Sequence, residues 1–568
     1  MDIDLVLREP GNKILELPHQ PDNQRHIIFG DGNTMLKLLH LAREQGCFLR
    51  SMFATDERLR EGRCFKIYYL LSDDQNGQLM IFETDIGHSE DVTYPSGRAI
   101  FPAVKAMEEQ IYDLFGLKAD AGLEDAENGY LLHSPAYSFE EALLPLRRTR
   151  TEGRLKQIIQ SGQKQRVSPA LRWDNMFAKR SISLLSVGPV HAGIIESGQF
   201  LFYLAGEVIE DLSLRLGYKH RGVEKLFETH HTLETGWKLA EKVSGDSSFA
   251  HSLAYCQAVE DIAQITPPET ALWWRALLLE LERVYNHIAD VSALAQDMAY
   301  DRAAAKIASL RETLVELNQR VSGNRFLRGV NLPGGINLSI MEVNTLDIIT
   351  IVQAVSEEFL EWAKNVMENP KCRERMLGVG TLPPNEATRA TGLAARASGL
   401  LHHDWRLQHP RGVYDDPETQ KILLSTIVPD GEENPTRQIP IYRHDLKGDV
   451  FARLALRVAE VETSAKLIFH FAERLQAFDL TRSAHISITD HLLKQPGLNF
   501  GVGIVEGWRG DIVYTVFKGQ EDTIFRCNPR DPSIINWQIF PATVRGNRLA
   551  DFPLINKSFN LSYAGFDL

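Results

Sequence analysis

The chain has 568 residues, enough for two or more domains with large cores. Its 62 lysines and arginines against 75 aspartates and glutamates leave a net charge of −13, which argues against nucleic acid or an anionic lipid surface as the main partner. The acidic start Met1-Asp-Ile-Asp is unlike a basic secretory leader, and no apolar run approaches the roughly 20 residues that span a bilayer, so the expectation is a soluble, cytoplasmic chain that meets a membrane only through partners.

In chain order, residues 32–46 and 101–115 have helical spacing. The short apolar runs Phe65–Leu71 and Leu79–Phe82 flank Asp-Asp-Gln-Asn-Gly, a good turn sequence, which predicts a small α/β domain over residues 1–150. Residues 151–180 follow the basic run Arg147-Arg-Thr-Arg150 and read as a linker or docking arm. A second domain over 181–568 starts with strand-like Ile182–Val187 and Gln199–Leu204. It then becomes mainly helical, with long proline-free apolar patterns at Ala271 to Asp297, 344–367 and 451–477. The expected class is α+β: a small α/β domain, then a helical bundle with a small sheet at one end.

Several motifs punctuate this plan. The first domain carries Phe101-Pro-Ala-Val-Lys-Ala-Met-Glu108-Glu109-Gln-Ile-Tyr112-Asp113-Leu-Phe115-Gly116, an amphipathic helix ended by glycine. The second carries Gly188-Pro189-Val-His191 and Tyr218-Lys-His220-Arg221-Gly222-Val-Glu224. The run Ser244-Gly-Asp-Ser247-Ser-Phe-Ala-His251 follows, then Glu280-Leu-Glu282-Arg283 with Asn286-His287. Later come Gly323-Asn-Arg325-Phe, Arg396-Ala-Ser398-Gly399 with Asp404-Trp-Arg406, Gly503-Ile-Val-Glu506-Gly-Trp-Arg509-Gly510, Arg530-Asp531-Pro532-Ser533 and the terminal Ser558-Phe-Asn-Leu-Ser562-Tyr-Ala-Gly565. The five cysteines, Cys47, Cys64, Cys256, Cys372 and Cys527, form no Cys-x-x-Cys pair and read as small buried hydrophobes in a reducing compartment. There is no Walker sequence and no iron–sulfur cysteine run, and Gly501-Val-Gly503 lacks the third glycine of a dinucleotide loop. No nucleotide or iron–sulfur cofactor is therefore expected on this chain.

The order and spacing of these motifs resemble the large subunit of membrane-bound nickel–iron hydrogenases of the formate-hydrogenlyase type and the 49 kDa subunit of complex I. The 101–116 helix resembles the Glu-Arg-Glu-x-Tyr-Asp-x-Phe-Gly signature of the 30 kDa subunit. In the hydrogenases the central loop reads Cys-Gly-x-Cys-Gly-Phe-Ala-His, and a second Cys-x-x-Cys lies at the C-terminus. The resemblance puts these four ligand positions on Ser244, Ser247, Ser562 and Gly565. None of these residues is a thiolate, and nickel and low-spin iron need soft sulfur donors, so no metal is expected on this chain.

Complex I reads Gly-Pro-Gln-His-Pro-x-x-His after its first strand, the second histidine meeting the quinone head. Here Ile195 takes that place, and the quinone-binding tyrosine aligns near Ser244. Ser244, His251 and Ile195 are therefore the expected cavity or quinone-pocket positions. Membrane-bound hydrogenases carry a proton-passing glutamate at about Glu196; a glutamate beside a closed cavity would have a raised pKa suited to that task, the alternative being a solvated loop carboxylate. His191 matches the first loop histidine, and Asp297 resembles the aspartate that partners the quinone-site histidine, so Glu196, His191 and Asp297 form the expected proton relay. His251, Arg283, Arg325, Arg396, Asp404 and Arg406 are expected as an interior charged cluster.

The resemblance implies a subunit of a membrane-associated oxidoreductase complex at the inner face of the cytoplasmic membrane, coupling electron transfer to ion translocation. Electrons would come from NADH or ferredoxin and pass to a quinone-like acceptor. The implied partners are a small iron–sulfur subunit with a 4Fe-4S cluster, a ferredoxin-like iron–sulfur subunit, and membrane-arm and antiporter-like subunits. A non-catalytic scaffold is the alternative; an active hydrogenase is disfavoured by the missing thiolates.

Overall fold

The structure, a computed structural model, describes residues 13–16, 24–29, 32–58, 64–74, 77–89, 92–120, 146, 182–191, 195–337, 339, 344–429, 438–478, 484–488 and 499–568. The expected linker at 151–180 and its preceding basic run lie outside the described residues.

In the first domain β1 (Lys13–Glu16), β2 (Gln24–Phe29), β3 (Phe48–Asp56), β4 (Phe65–Asp73) and β5 (Gln78–Gly87) form a sheet in the order β1-β2-β5-β4-β3. The β2–β5 pair is parallel and the others are antiparallel. Side chains alternate across a strand, so a sheet covered on both faces must be apolar at successive residues. Ile67, Tyr69 and Leu71 of β4 join the core under α1 (Gly32–Glu44) and α2 (Val104–Phe115). Tyr68 and Leu70 instead join Phe500, Val513 and Phe517 of the second domain. A short parallel pair, β6 (Thr93–Pro95) and β7 (Lys118–Asp120), flanks α2. That helix stops at Gly116, whose φ of 70° suits glycine and whose N–H reaches the Tyr112 carbonyl. Glu108, buried in the motif, takes the Gly97 N–H at 3.0 Å and the Arg98 guanidinium at 2.6 Å.

The second domain opens with an antiparallel sheet of β8 (Ser183–Val187), β9 (Gln199–Ala205) and β10 (Val208–Arg215). The helices α3 (Val223–His230), α4 (Ser248–Ala263), α5 (Glu269–Asp297) and α6 (Asp301–Ser322) follow, then the small hairpin β11 (Asn331–Leu332) and β12 (Gly335–Ile336), α7 (Thr345–Glu368) and α8 (Val450–Gln476). A second antiparallel sheet, β13 (Phe500–Glu506), β14 (Asp511–Lys518) and β15 (Ile524–Arg530), precedes α9 (Ser533–Val544), α10 (Phe552–Phe559) and α11 (Tyr563–Asp567). The bundle centres on α5 packed along α8, with α6 and α7 alongside, and α4 lies across β13 and β14. That last contact depends on glycine, because a Cβ on Gly501 or Gly503 would run into the Ala258 and Ala254 carbonyl oxygens. All five cysteines are buried and free.

Two clusters of buried ion pairs stand out. Inside the bundle Arg396 bonds Glu460 at 2.9 Å and Glu506 at 2.7 Å, His287 bonds Glu460 at 2.8 Å, and Arg406 bonds Glu280 at 2.9 Å and Asp404 at 2.7 Å. Burial alone would raise the Glu280 carboxyl, but the Arg406 and Arg283 guanidiniums outweigh it and bring it down to about 2. The expected interior cluster thus holds for Arg283, Arg396, Asp404 and Arg406. Arg325 departs from it: it caps an exposed corner and pairs with Glu312 at the surface, its side chain 43 % exposed. The second cluster lies at the joint between the domains, where Asp511 of β14 binds both Arg530 of β15 and Arg50 of β3, the latter at 3.2 Å. Glu224 of α3 also takes Arg526 at 2.7 Å, and Ser51 donates to Asn528.

Removing one partner of a buried pair strands the other. Asp511→Ala is therefore expected to destabilise the chain by about 3–5 kcal/mol, while Glu312→Ala at the exposed pair changes stability by less than about 1 kcal/mol. Urea midpoints of the two variants check the contrast.

Candidate functional site

Two loops far apart in sequence meet at the core of the second domain: Ser244–Ser247, which leads into α4, and Leu561–Gly565, which runs into α11. Ser244 Oγ and Ser562 Oγ are hydrogen-bonded at 2.9 Å, both residues buried. The Gly565 N–H donates to Ser562 Oγ at 2.9 Å, and the Ser562 N–H donates to Ser533 Oγ at 2.9 Å. Ser247 accepts from Arg509 Nη1 at 3.2 Å. All four positions assigned by resemblance to metal ligands therefore lie in one hydrogen-bonded cluster. Gly565 is packed tightly: a Cβ there would sit 2.7 Å from the Asp531 carboxyl carbon.

Residues that the sequence reading had not assigned to the site hold this cluster. Asp246 receives the Arg509 guanidinium at 2.7 and 2.5 Å and the Ser244 hydroxyl at 3.0 Å, while its carbonyl accepts from Asn286 at 2.7 Å and Trp508 at 3.2 Å. Burial would raise the Asp246 carboxyl, and Arg509 reverses that and holds it below the usual range. Arg221 ties the two loops together, donating to the Lys242 and Val243 carbonyls and, at 3.3 Å, to the Ala564 carbonyl. Asp567 accepts the Gly217 and Lys219 N–H groups at 2.7 Å each, and burial pushes its carboxyl up to about 6. His251, expected to face a cavity, is fully buried between the Tyr514 hydroxyl at 3.0 Å and Asp531 at 3.1 Å. Arg509 and Asp531 stand in motifs visible in the sequence, but nothing in the spacing reveals their partners.

Glu282 lies beneath the loop. Its two oxygens accept the Phe249 and Ala250 N–H groups, at 2.7 and 3.1 Å, in the first turn of α4. Those amide groups would favour the charged form, yet burial dominates and pushes the carboxyl up to about 8.

The three residues of the expected relay go to separate partners. Glu196 Oε2 accepts the Ala564 N–H at 3.1 Å, beside Gly565, and its side chain is 38 % exposed; it stands on the rim, not in a closed cavity. His191 Nε2 bonds the Gly198 carbonyl at 2.7 Å within its own loop. Asp297, at the end of α5, pairs with Lys557 of α10 at 2.5 Å. No hydrogen bond joins these three among the described residues, and residues 192–194 of the loop lie outside them. Ile195 is 44 % exposed, so the position that resembles the quinone histidine faces outward.

Among the described residues no helix is long and apolar enough to cross a membrane, and no three His, Cys, Asp or Glu side chains are grouped to hold a metal ion.

This arrangement of a small mixed domain docked on a large-subunit bundle, with two loops meeting near its C-terminal helix, defines a class. Residues 31–150 match the family described as the 30 Kd subunit of respiratory-chain NADH dehydrogenase, and residues 301–568 match that of its 49 Kd subunit. The chain therefore fuses a 30 kDa-type and a 49 kDa-type domain of complex I. It is 28 % identical to formate hydrogenlyase subunit 5 of Escherichia coli over 92 % of this chain and 85 % of that protein. It is 27 % identical to hydrogenase-4 component G of the same organism over 92 % and 84 %, and 29 % identical to the membrane-bound hydrogenase subunit alpha of Pyrococcus furiosus over 64 % and 82 %. A solved chain of the membrane-bound sulfane sulfur reductase, an archaeal respiratory membrane complex, shares the fold with a TM-score of 0.56. It is 23 % identical and the match covers 68 % of this chain and 98 % of that one.

Two outcomes follow from the packing. Gly565→Ala must displace Asp531, which His251 and the Ser533 N–H hold, and is expected to cost about 1–3 kcal/mol as overpacking does; the urea midpoint measures it. For Glu282 the folded carboxyl titrates at about 8 against an ordinary 4.5, so its stabilising protonation is complete below about 4.5 and is lost as pH rises through about 8. Glu282→Gln removes that dependence. The stability of wild type relative to the variant should fall by about 1.4 kcal/mol for each pH unit across that window, read from urea unfolding at pH 5, 7 and 9.

Proposed function

We propose that this chain is the large subunit of a membrane-associated, complex I-like and hydrogenase-related oxidoreductase complex that works without a nickel–iron centre. The observation that carries this reading is the bond between Ser244 and Ser562 at 2.9 Å. Three hydroxyls and a glycine do not fit nickel and low-spin iron, which demand thiolate sulfur, and no step is derived through that centre. The redox step belongs instead to partners: a small iron–sulfur subunit with a 4Fe-4S cluster, a ferredoxin-like subunit delivering electrons from NADH or ferredoxin, and a quinone-like acceptor. Membrane-arm and antiporter-like subunits would hold the chain at the inner face of the cytoplasmic membrane.

Two features support a role in proton handling beside such a cluster. Glu196 reaches the backbone next to Gly565 from an open rim, so it can exchange protons with water and still touch the site. Val190 and Ile195 on the loop that carries Glu196, Leu185 on β8 and Tyr218 before α3 are all exposed and offer apolar surface for the small subunit. Asp297 is locked to Lys557, so it serves in this reading as a fixed pair that orients α10 under the loop.

A second reading, a scaffold that transmits movement to the membrane arm, draws on the same serine contact, because a site filled by its own hydrogen bonds needs no ligand. The two part on Glu196. The assembled complex, purified with its partners and analysed for nickel, is expected to contain far less than one nickel per chain. Glu196→Gln should leave assembly intact and reduce redox-coupled ion transport by about a hundredfold, the scale of a lost proton-transfer group. Stoichiometric nickel overturns the metal-free reading, and wild-type transport in the variant leaves the scaffold.

A further inference from the structure

A cleft runs along the joint between the two domains, away from the serine cluster. It is small, with room for about 40 Å³ of water-sized volume, and lies between the ends of α1 and β3 in the first domain and residues 388–391 and α9 in the second. Its walls are partly aromatic, with Phe48 and Phe101 facing it, and the Arg43 guanidinium lies 5.6 Å over the Phe101 ring. Three arginines line the cleft and they differ in how far their charge is satisfied. Arg50 is fully engaged by Asp74 at 2.8 Å and Asp511 at 3.2 Å. Arg389 gives Nη1 to Glu386 at 2.7 Å, but its Nε is buried with no hydrogen-bond partner. Arg43 pairs with no carboxylate among the described residues. His403, also in the wall, is kept neutral: burial, then His402 and Arg50, push its imidazole down to about 3.

The cleft therefore holds more positive than negative charge in a chain whose net charge is −13. A guanidinium N–H left without a protein partner in a residue that lines a cleft is free to meet an acceptor there. Guanidinium groups favour planar or tetrahedral oxyanions, which take several N–H groups at once, and apolar walls strengthen the attraction by keeping water away. We propose that this cleft binds a small oxyanion of phosphate size, held by Arg43 from the first domain and Arg389 from the second. Because the two cations come from different domains, the bound anion would draw the joint together and stabilise the docked arrangement.

The test uses the full chain and inorganic phosphate, with chloride at matched ionic strength as control, read by calorimetric titration and by the melting temperature. Phosphate should bind and raise the melting temperature where chloride does not. Arg43→Gln and Arg389→Gln should each weaken phosphate binding by about tenfold, the value of one charge-assisted hydrogen-bonding group. Both arginines are only half-buried, so the unliganded variants should melt near wild type; Arg43→Lys and Arg389→Lys, which keep the charge, should retain more affinity than the glutamine variants. The proposal is overturned by equal effects of phosphate and chloride, or by wild-type phosphate affinity in both glutamine variants.

Discussion

Glu460 is the charge on which the bundle depends. It sits inside α8, where a bare carboxylate would be intolerable, and it is satisfied by His287 from α5 and Arg396 from the segment before α8. Arg396 in turn reaches Glu506 at the end of β13, and Arg283 reaches the Glu506 and Gly507 carbonyls. Two helices and a sheet edge are thereby fixed by partners that each of them needs. Burial pushes Glu506 up to about 7 even beside Arg396, while the Arg396 guanidinium and His287 hold Glu460 well below the usual range.

The candidate site inherits its shape from that frame. The turn Gly507–Gly510 leaves β13 directly beyond Glu506, and Arg509 on this turn grips Asp246 between the two serines of the central loop. The C-terminal segment is held just as firmly, by Arg221, by Asp567 and by Trp537, whose indole N–H donates to the Ser562 carbonyl at 3.2 Å. The hydroxyls of the two loops thus lie in a rigid surround. Hydrogen bonds between short side chains bring the loops close enough to satisfy one another.

The joint between the domains is as buried as the bundle interior. Asp511, Arg50 and Arg530 form one cluster, and the face of β4 that carries Tyr68 and Leu70 continues into the apolar face of β13 and β14. An interface that is both apolar and ion-paired does not behave as a loose tether, so the two domains act as one body. That makes the arginine-lined cleft between them a natural place for an anion to influence the whole chain.

Much of this could be read from the sequence. Helical spacing placed α5, α7 and α8 to within two residues of 271–297, 344–367 and 451–477, because a 3.6-residue apolar period over many turns has no other solution. Residue type at Ser244, Ser247, Ser562 and Gly565, three hydroxyls and a glycine, is legible whatever the fold, but that Ser244 and Ser562 meet is not. What the sequence could not decide was partnership. The pairing of Asp297 with Lys557, 260 positions away, is visible only in the fold, and of the two readings of Glu196, beside a closed cavity or solvated, the fold places it on a rim. Arg325 looked like its interior neighbours in the motifs, yet it turned outward to Glu312. Spacing along a chain reports which face a residue occupies; which charge it meets, and how much water remains beside it, is settled only when distant segments pack together.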